Sequence, residues 1–383
     1  MFTSPSWIEI GSSRSERREA GRARRRNVPW AAVVEWPTGA SLLIDPLDIA
    51  GLCAVVAQAP TSGLMAHLVG PTAHLLAVKD ERSELVVADF GGLDHAIEGP
   101  WEWDVRTIAL RVARDTQSVE KGRAVVAEFA RAYREAIRAT AALEHAGGWQ
   151  GLASGPGARG AYARLTRGGE KGKVASAAFP VIVRGRTASQ WVKGRSRIVR
   201  KTLPFDRVEA DSDAVLRMFA EYREALPEAL ALRMQRMVVV DAVGRADSGG
   251  LLVLAVDEEG NDPILLQTTL VRESAWEPYA GDVVLGSDAQ RVLLASTLLQ
   301  VSPDPLLGWS SDVRQTRSVM WSQAVNDDPV RPSMPQWMRL REAEALGSVL
   351  GRAHARTVDA SALAGYLGGS DGFDRALAAA TLP

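Results

Sequence analysis

Val126, Phe129, Tyr133, Ile137 and Thr140 recur at three- and four-residue steps, which predicts a long helix to about His145 with one buried face. Asp104 begins a helical region before it, interrupted near Asp115 to Ser118. Further upstream, Asp45-Pro46 places an N-cap before a proline at the first helical position, and Pro60 stops a helix near Gln58. Two apolar runs, Leu64 to Val69 and Leu85 to Ala88, read as strands joined through the charged turn Lys79-Asp80-Glu81-Arg82.

The second half opens with helices around Asp213 to Leu226 and Glu228 to Arg236. Three strands follow, Met237 to Val243, Leu251 to Val256 and Ile264 to Val271, expected to form one antiparallel sheet packed by a helix from Ser287 to Val301. A strand near Trp309 to Gln315 comes next. Pro335 starts a long helix to about Arg356, and Asp359 and Ser370 cap two short helices at the end. Gly147 to Gly172 has no periodicity and reads as a surface linker; the segment before Trp36, with Arg14, Arg17, Arg18, Arg22, Arg24, Arg25 and Arg26, reads as a mobile arm. The divisions expected are a basic flexible arm (1–44), a first helical part (45–146), a basic linker (147–204), a sheet with helices (205–315) and C-terminal helices (316–383).

Composition narrows the class. With 383 residues, 46% of them hydrophobic and 24% charged, the chain can bury a sizeable core, which excludes disorder, collagen and coiled coil as its dominant state. Cys53 alone rules out an internal disulfide or a Cys-rich zinc site, and fits a reducing compartment. The net charge of -1 conceals a basic region up to Lys201 and an acidic one from Asp206 to Asp288. The uncharged stretch from Ile49 to Val78 is divided by Pro60, Pro71 and several glycines into pieces too short for the ~20 apolar residues of a bilayer span. No apolar segment precedes Glu35 as in a secretory signal, so a cytoplasmic protein without a membrane partner is expected.

Several stretches in order resemble one bacterial family, the domain of unknown function 2252: Pro60-Thr-Ser-Gly-Leu64, Gly99-Pro-Trp-Glu-Trp-Asp104, Gln290-Arg-Val292, Asp304-Pro-Leu-Leu-Gly-Trp309, Val313-Arg-Gln315 and Arg352-Ala-His-Ala-Arg356, the last running into Ala364-Gly-Tyr-Leu-Gly368 and Ser370-Asp-Gly-Phe-Asp374. That family is similar to protein kinases and aminoglycoside phosphotransferases with the two lobes in permuted order. The resemblance implies an α+β, permuted kinase-like, two-lobe fold with a small antiparallel sheet and a mainly helical lobe.

Phosphoryl transfer needs a carboxylate to orient the acceptor, oxygen ligands for magnesium, and a lysine and backbone amides on the phosphates. The family pattern Gly-Asp-x-His-x-x-Asn falls on Gly70-Pro-Thr-Ala-His74-Leu-Leu-Ala77, which keeps Gly70 and His74 but has Pro71 or Thr72 for the base and Ala77 for the metal-binding Asn. The family's metal-holding Asp falls on Gly92, although Asp89 and Asp94 flank it and Asp89-Phe90-Gly91 spells the kinase metal motif. The phosphate-covering turn is Gly244-Arg-Ala-Asp-Ser-Gly249, where Asp247 brings a negative charge, and the phosphate lysine is replaced by Thr269.

The reading implied is a catalytically degenerate pseudoenzyme binding an unknown protein or small molecule, with no cofactor expected and with Gly244, Gly249 and His74 lining a remnant cleft. An active phosphotransferase is the alternative, using ATP and magnesium held by Asp89 and Asp94. In a third reading the basic arm and linker, with Trp191 as a stacking ring, bind nucleic acid, but sparse aromatics and a general arginine bias argue against it. His354, between Arg352 and Arg356 on a helix, reads as a packing or hydrogen-bonding histidine rather than a metal ligand.

Overall fold

The computed structural model of the chain, described over residues 12–36, 48–80, 85–114, 116–143, 156–179, 181–184, 192–193, 197–199, 207–209, 212–245, 250–260, 262–281, 286–312, 314, 317–324 and 334–382, has an α+β fold. Helix α1 (Arg14–Asn27) opens with a capping box: the Ser13 hydroxyl accepts from Glu16 N–H while the Glu16 carboxylate accepts from Ser13 N–H. Arg24, Arg25 and Arg26 occupy its last turn, where the helix dipole favours cations. After α2 (Trp30–Val34), α3 (Ile49–Ala57) is capped by Asp48, whose carboxylate accepts from Gly51 N–H at 2.9 Å. Asp48, three residues beyond the expected Asp45, is thus the cap, and Asp45 and Pro46 lie outside the described residues.

Strand β1 (Met65–His67) is followed by β2 (His74–Asp80), β3 (Val87–Gly91) and β4 (Glu98–Pro100). The two expected strands do not pair with each other: β1 pairs antiparallel with β4, and β2 supplies the partner of β3. The run from Leu75 to Val78 is buried on both faces, so it shows no alternation by which to read a strand.

Helix α4 (Trp101–Ala113) leads to α5 (Val119–Ala141), where Val126, Phe129, Tyr133 and Ile137 are buried as their spacing requires. The region read as a linker is structured where it is described. It forms α6 (Pro156–Leu165), α7 (Gly169–Ala178) and β5 (Val181–Arg184), the last adding in parallel to β2. Ala161, Leu165 and Ala175 form the buried side, and such small residues leave almost no hydrophobic period.

A two-stranded ribbon, β6 (Val192–Lys193) and β7 (Arg197–Ile198), precedes β8 (Arg207–Glu209), α8 (Ser212–Ala225) and α9 (Glu228–Met234). Strands β9 (Met237–Arg245), β10 (Leu251–Asp257) and β11 (Ile264–Leu270) follow as expected. Helix α10 (Asp288–Leu299) is capped by Ser287, and β12 (Gly308–Ser311) and β13 (Ser318–Gln323) complete an antiparallel sheet of order β12-β13-β11-β10-β9-β8. The boundary expected at 315 therefore falls inside a hairpin. One sheet face buries Val253, Leu266 and Trp321 against Phe219 and Tyr222 of α8, with the Tyr222 and Trp321 rings stacked at 4.8 Å.

Helices α11 (Gln336–Ala355), α12 (Ala360–Leu367) and α13 (Gly372–Thr381) end the chain; the last is preceded by Asp371 as cap residue, not Ser370. Trp101, Tyr133, Tyr366 and Phe373 form the aromatic centre of the helical part, with Trp101 and Tyr133 stacked at 5.7 Å. The arm expected to be mobile is docked on these helices. A Cβ on Gly21 would lie 1.9 Å from Ala362 O, and one on Gly365 would lie 2.0 Å from Arg18 O, so the backbones of α1 and α12 touch through glycine. Trp30 Nε1 donates to Tyr366 O at 3.0 Å, and the Tyr366 hydroxyl donates to Val28 O at 2.9 Å. The arginines are not buried by this docking. The close contact is made by the glycines, Trp30, Val33 and Val34, and arginines add bonds from its rim, Arg24 to Ser62 O and Arg25 to Tyr366 O among them, so a run of arginines here does not mark a mobile arm.

Candidate functional site

The segment following β1, where a phosphotransferase would keep its base, is fixed from below by α4. Asp104, in the first turn of that helix, accepts from Val69 N–H at 2.6 Å and from Gly70 N–H at 3.0 Å. Its Oδ2 also lies 3.0 Å from His354 Nε2, and His354 Nδ1 lies 3.0 Å from the Tyr133 hydroxyl. With Nε2–H donating to the carboxylate, Nδ1 is left to accept from Tyr133. Burial pushes the Tyr133 phenol well above its ordinary value, so it remains a neutral donor. All three side chains are fully shielded from solvent, so the relay has no route to a substrate and acts as an anchor for the backbone of Val69 and Gly70.

His67, at the end of β1, donates its backbone N–H to Thr357 Oγ1 at 3.0 Å, while its buried Nε2 makes no hydrogen bond among the described residues. Desolvation lowers its imidazole from 6.5 to about 4, against the opposing pull of Asp104, so the ring is neutral.

The positions singled out for chemistry are distributed over two sheets. His74 starts β2 opposite Gly91, its Nδ1 3.3 Å from Thr72 O, and Asp89 faces Leu76 on the same hairpin. Gly244 is on the other sheet, opposite Leu251 of β10 and Val208 of β8, and Gly249 lies outside the described residues. Thr269 is an exposed residue of β11 opposite Met320, and Ala77 is buried in β2.

Asp89 is 1% exposed. Its Oδ1 accepts from Phe90 N–H at 3.0 Å, and its Oδ2 accepts from Val301 N–H at 2.8 Å and Ser302 N–H at 2.9 Å. Burial raises its carboxyl above the usual range, countered by these bonds and by the charge of Arg356. Asp94 is partly exposed, and its backbone carbonyl accepts from Arg291 at 2.8 Å. Gly92, at φ +70°, leaves no room for a side chain: a Cβ would lie 2.6 Å from Thr72 O. Among the described residues, no three His, Cys, Asp or Glu side chains gather to hold a metal ion.

Two arginines with no role assigned from the sequence join the parts. Arg291, on α10 and 4% exposed, donates to the carbonyls of Asp94, Ala96 and Arg272, each at 2.8 Å, and pairs with Asp288 at 3.1 Å. Arg356 donates to Gln300 O at 2.9 Å and to Leu299 O, closing the end of α10, while Gln300 donates to Phe90 O at 2.6 Å. His95 is clamped to the chain following β11, accepting from Ala275 N–H at 3.0 Å through Nδ1 and from the Ser274 hydroxyl at 2.8 Å through its carbonyl. Trp103 and Trp276 stack beside it at 4.7 Å. The sequence signal for Arg291 was its place in the Gln290-Arg-Val292 string.

No helix among the described residues is long and apolar enough to cross a membrane. Neither the curated proteins nor the solved structures provide a match to this chain. A family model described as an uncharacterized protein conserved in bacteria does match, over residues 57–382. The strings around Pro60, Trp101, Arg291 and His354 thus lie in one matched span whose buried anchors they supply, and the chain belongs to the domain of unknown function 2252 family.

Proposed function

We propose that this chain is a catalytically degenerate, kinase-like protein that acts by binding a ligand or partner and does not transfer phosphate. The observation that carries this reading is the state of Asp89. As the residue best placed in sequence to hold magnesium, it has both carboxylate oxygens engaged by backbone N–H groups and is closed off from solvent. The other requirements are missing in parallel: Pro71 and Thr72 cannot act as base, Ala77 offers no metal ligand, and Thr269 brings no cation to a phosphate. The donor set does not fit ATP with magnesium.

The retained groups support a binding role. Asp104, Arg291 and Trp103 hold backbone and packing rather than face an open site, so they preserve the shape of the protein. The reducing cytoplasm fits the single cysteine, Cys53, which is buried and free. Neither a membrane nor nucleic acid is expected as partner.

The test is release or transfer of radiolabelled phosphate from ATP with magnesium, comparing the full chain with a variant carrying Asp89→Asn and Asp94→Asn. No turnover above the protein-free blank is expected in either. Turnover that disappears in the double variant would replace this reading with an active phosphotransferase using those two carboxylates.

A further inference from the structure

Docking of α1 onto the C-terminal helices creates a groove of about 540 Å³ whose lining includes four arginines and no carboxylate. Arg18, Arg22 and Arg25 project from successive turns of α1, and Arg138 comes from the last turn of α5. The Trp30 ring and the turn at Gly369 complete the wall. We propose that this groove binds a compact, soluble, phosphate-bearing anion. The proposal does not depend on the kinase-like reading, since the groove shares no residue with the positions discussed for phosphoryl transfer.

The guanidinium groups are arranged rather than merely abundant. Arg25 lies 4.8 Å from the Trp30 ring centroid and donates to Tyr366 O at 3.3 Å, so its side chain is ordered before any ligand arrives. Gly368, at φ +77°, makes that placement possible: a Cβ there would lie 2.5 Å from Arg25 Nη1. Arg138 is held across the groove by Gly369 O at 3.4 Å. Each of these arginines keeps further N–H groups for an anion, because a guanidinium carries five donors.

Arg18 is the informative member. Its side chain is partly buried and makes no hydrogen bond or ion pair among the described residues. Its charge therefore sits beside other cations in a concavity without a counter-ion, a placement that a bound anion would relieve. Glu19 neutralises only the outer edge, through an exposed pair with Arg22 at 3.0 Å.

Shape selects the class of anion. The volume lies within the roughly 300–1,000 Å³ of small-molecule sites, and the charges come from two helices around one concavity. A nucleic-acid strand is instead tracked by a positive groove with stacking rings for successive bases. Here one ring is present, and Arg25 already covers it.

Calorimetric titration of the full chain with inorganic pyrophosphate at constant ionic strength tests the proposal, with sulfate as control. Saturable binding is expected, preferred over sulfate and weakened about tenfold or more by Arg18→Gln and by Arg138→Gln. The Arg18 side chain holds nothing in the fold, so Arg18→Gln, which leaves the backbone contact with Gly365 in place, should melt like the parent and carries the test if Arg138→Gln is destabilised. Absence of saturable binding, or binding unchanged in Arg18→Gln, would overturn the proposal. So would binding confined to a single-stranded oligonucleotide or to phosphatidylcholine vesicles containing phosphatidic acid, each tried in parallel, which would assign the arginines to nucleic acid or a membrane surface.

Discussion

Nε2 of His354 and Oδ2 of Asp104 meet at 3.0 Å across 250 residues of sequence, with neither side chain exposed. The same carboxylate holds the backbone of Val69 and Gly70, so Asp104→Ala would leave two buried N–H groups and an imidazole without their acceptor. A loss of about 3–5 kcal/mol is expected in chemical denaturation. Asp104→Asn, which retains one acceptor oxygen, should lose less. An alanine variant as stable as the parent would refute the anchoring role.

Arg291 gives a second prediction, because three carbonyls in one fork require the planar guanidinium. Arg291→Lys keeps the charge but cannot reach all three, and should cost about 2–3 kcal/mol. Hydrogen exchange should accelerate together at residues 94–96 and 272–276. Exchange unchanged at both segments would show that Arg291 does not couple them.

The pH dependence of stability should carry a contribution from His67, whose depressed folded value of about 4 compares with 6.5 when unfolded. The unfolded chain binds the proton more readily, so this contribution is complete above the unfolded value and is lost as pH falls toward the folded one. Its full size is about 3 kcal/mol. Desolvation is the main cause, with Arg291 acting in the same sense and Asp104 opposing. His67→Gln should therefore lose less stability than the parent between pH 6.5 and 4. Parallel curves for the two proteins would place the shift elsewhere.

The glycine contact between α1 and α12 predicts that Gly365→Val will undock the amino-terminal helix. The added side chain collides with the Arg18 backbone and should cost about 1–3 kcal/mol. Trypsin should then cut at Arg14 to Arg26 faster than in the parent, while the six-stranded sheet remains protected. Equal cleavage rates would mean that the helix is loosely held already.

Much of the fold could be read from alternation and capping. The α5 face, the run β9-β10-β11 and the caps at Ser287, Pro335 and Asp359 all follow from local patterns. What escaped notice depends on contacts distant in sequence. β2 is apolar on both faces, α6 and α7 bury small side chains, and α1 docks through glycine, so none announces itself by hydrophobic period. For the site, the family resemblance implied a set of absences at 71, 72, 77 and 269. The engagement of Asp89 with the amides of Val301 and Ser302 was not legible, since the two segments are brought together only by tertiary folding.

The embrace of α1 by α12 also sets a schedule for biosynthesis. Arg25 and Tyr366 are 341 residues apart, so at the usual pace of about 5–20 residues per second the amino-terminal helix leaves the ribosome on the order of tens of seconds before its partner exists. During that interval its arginines and Trp30 are available to the ribosomal surface or to a chaperone, and α1 can close only once α12 has left the ribosome. A nascent chain stalled before Ala360 should expose α1 to protease, and extension until α12 has emerged should protect it.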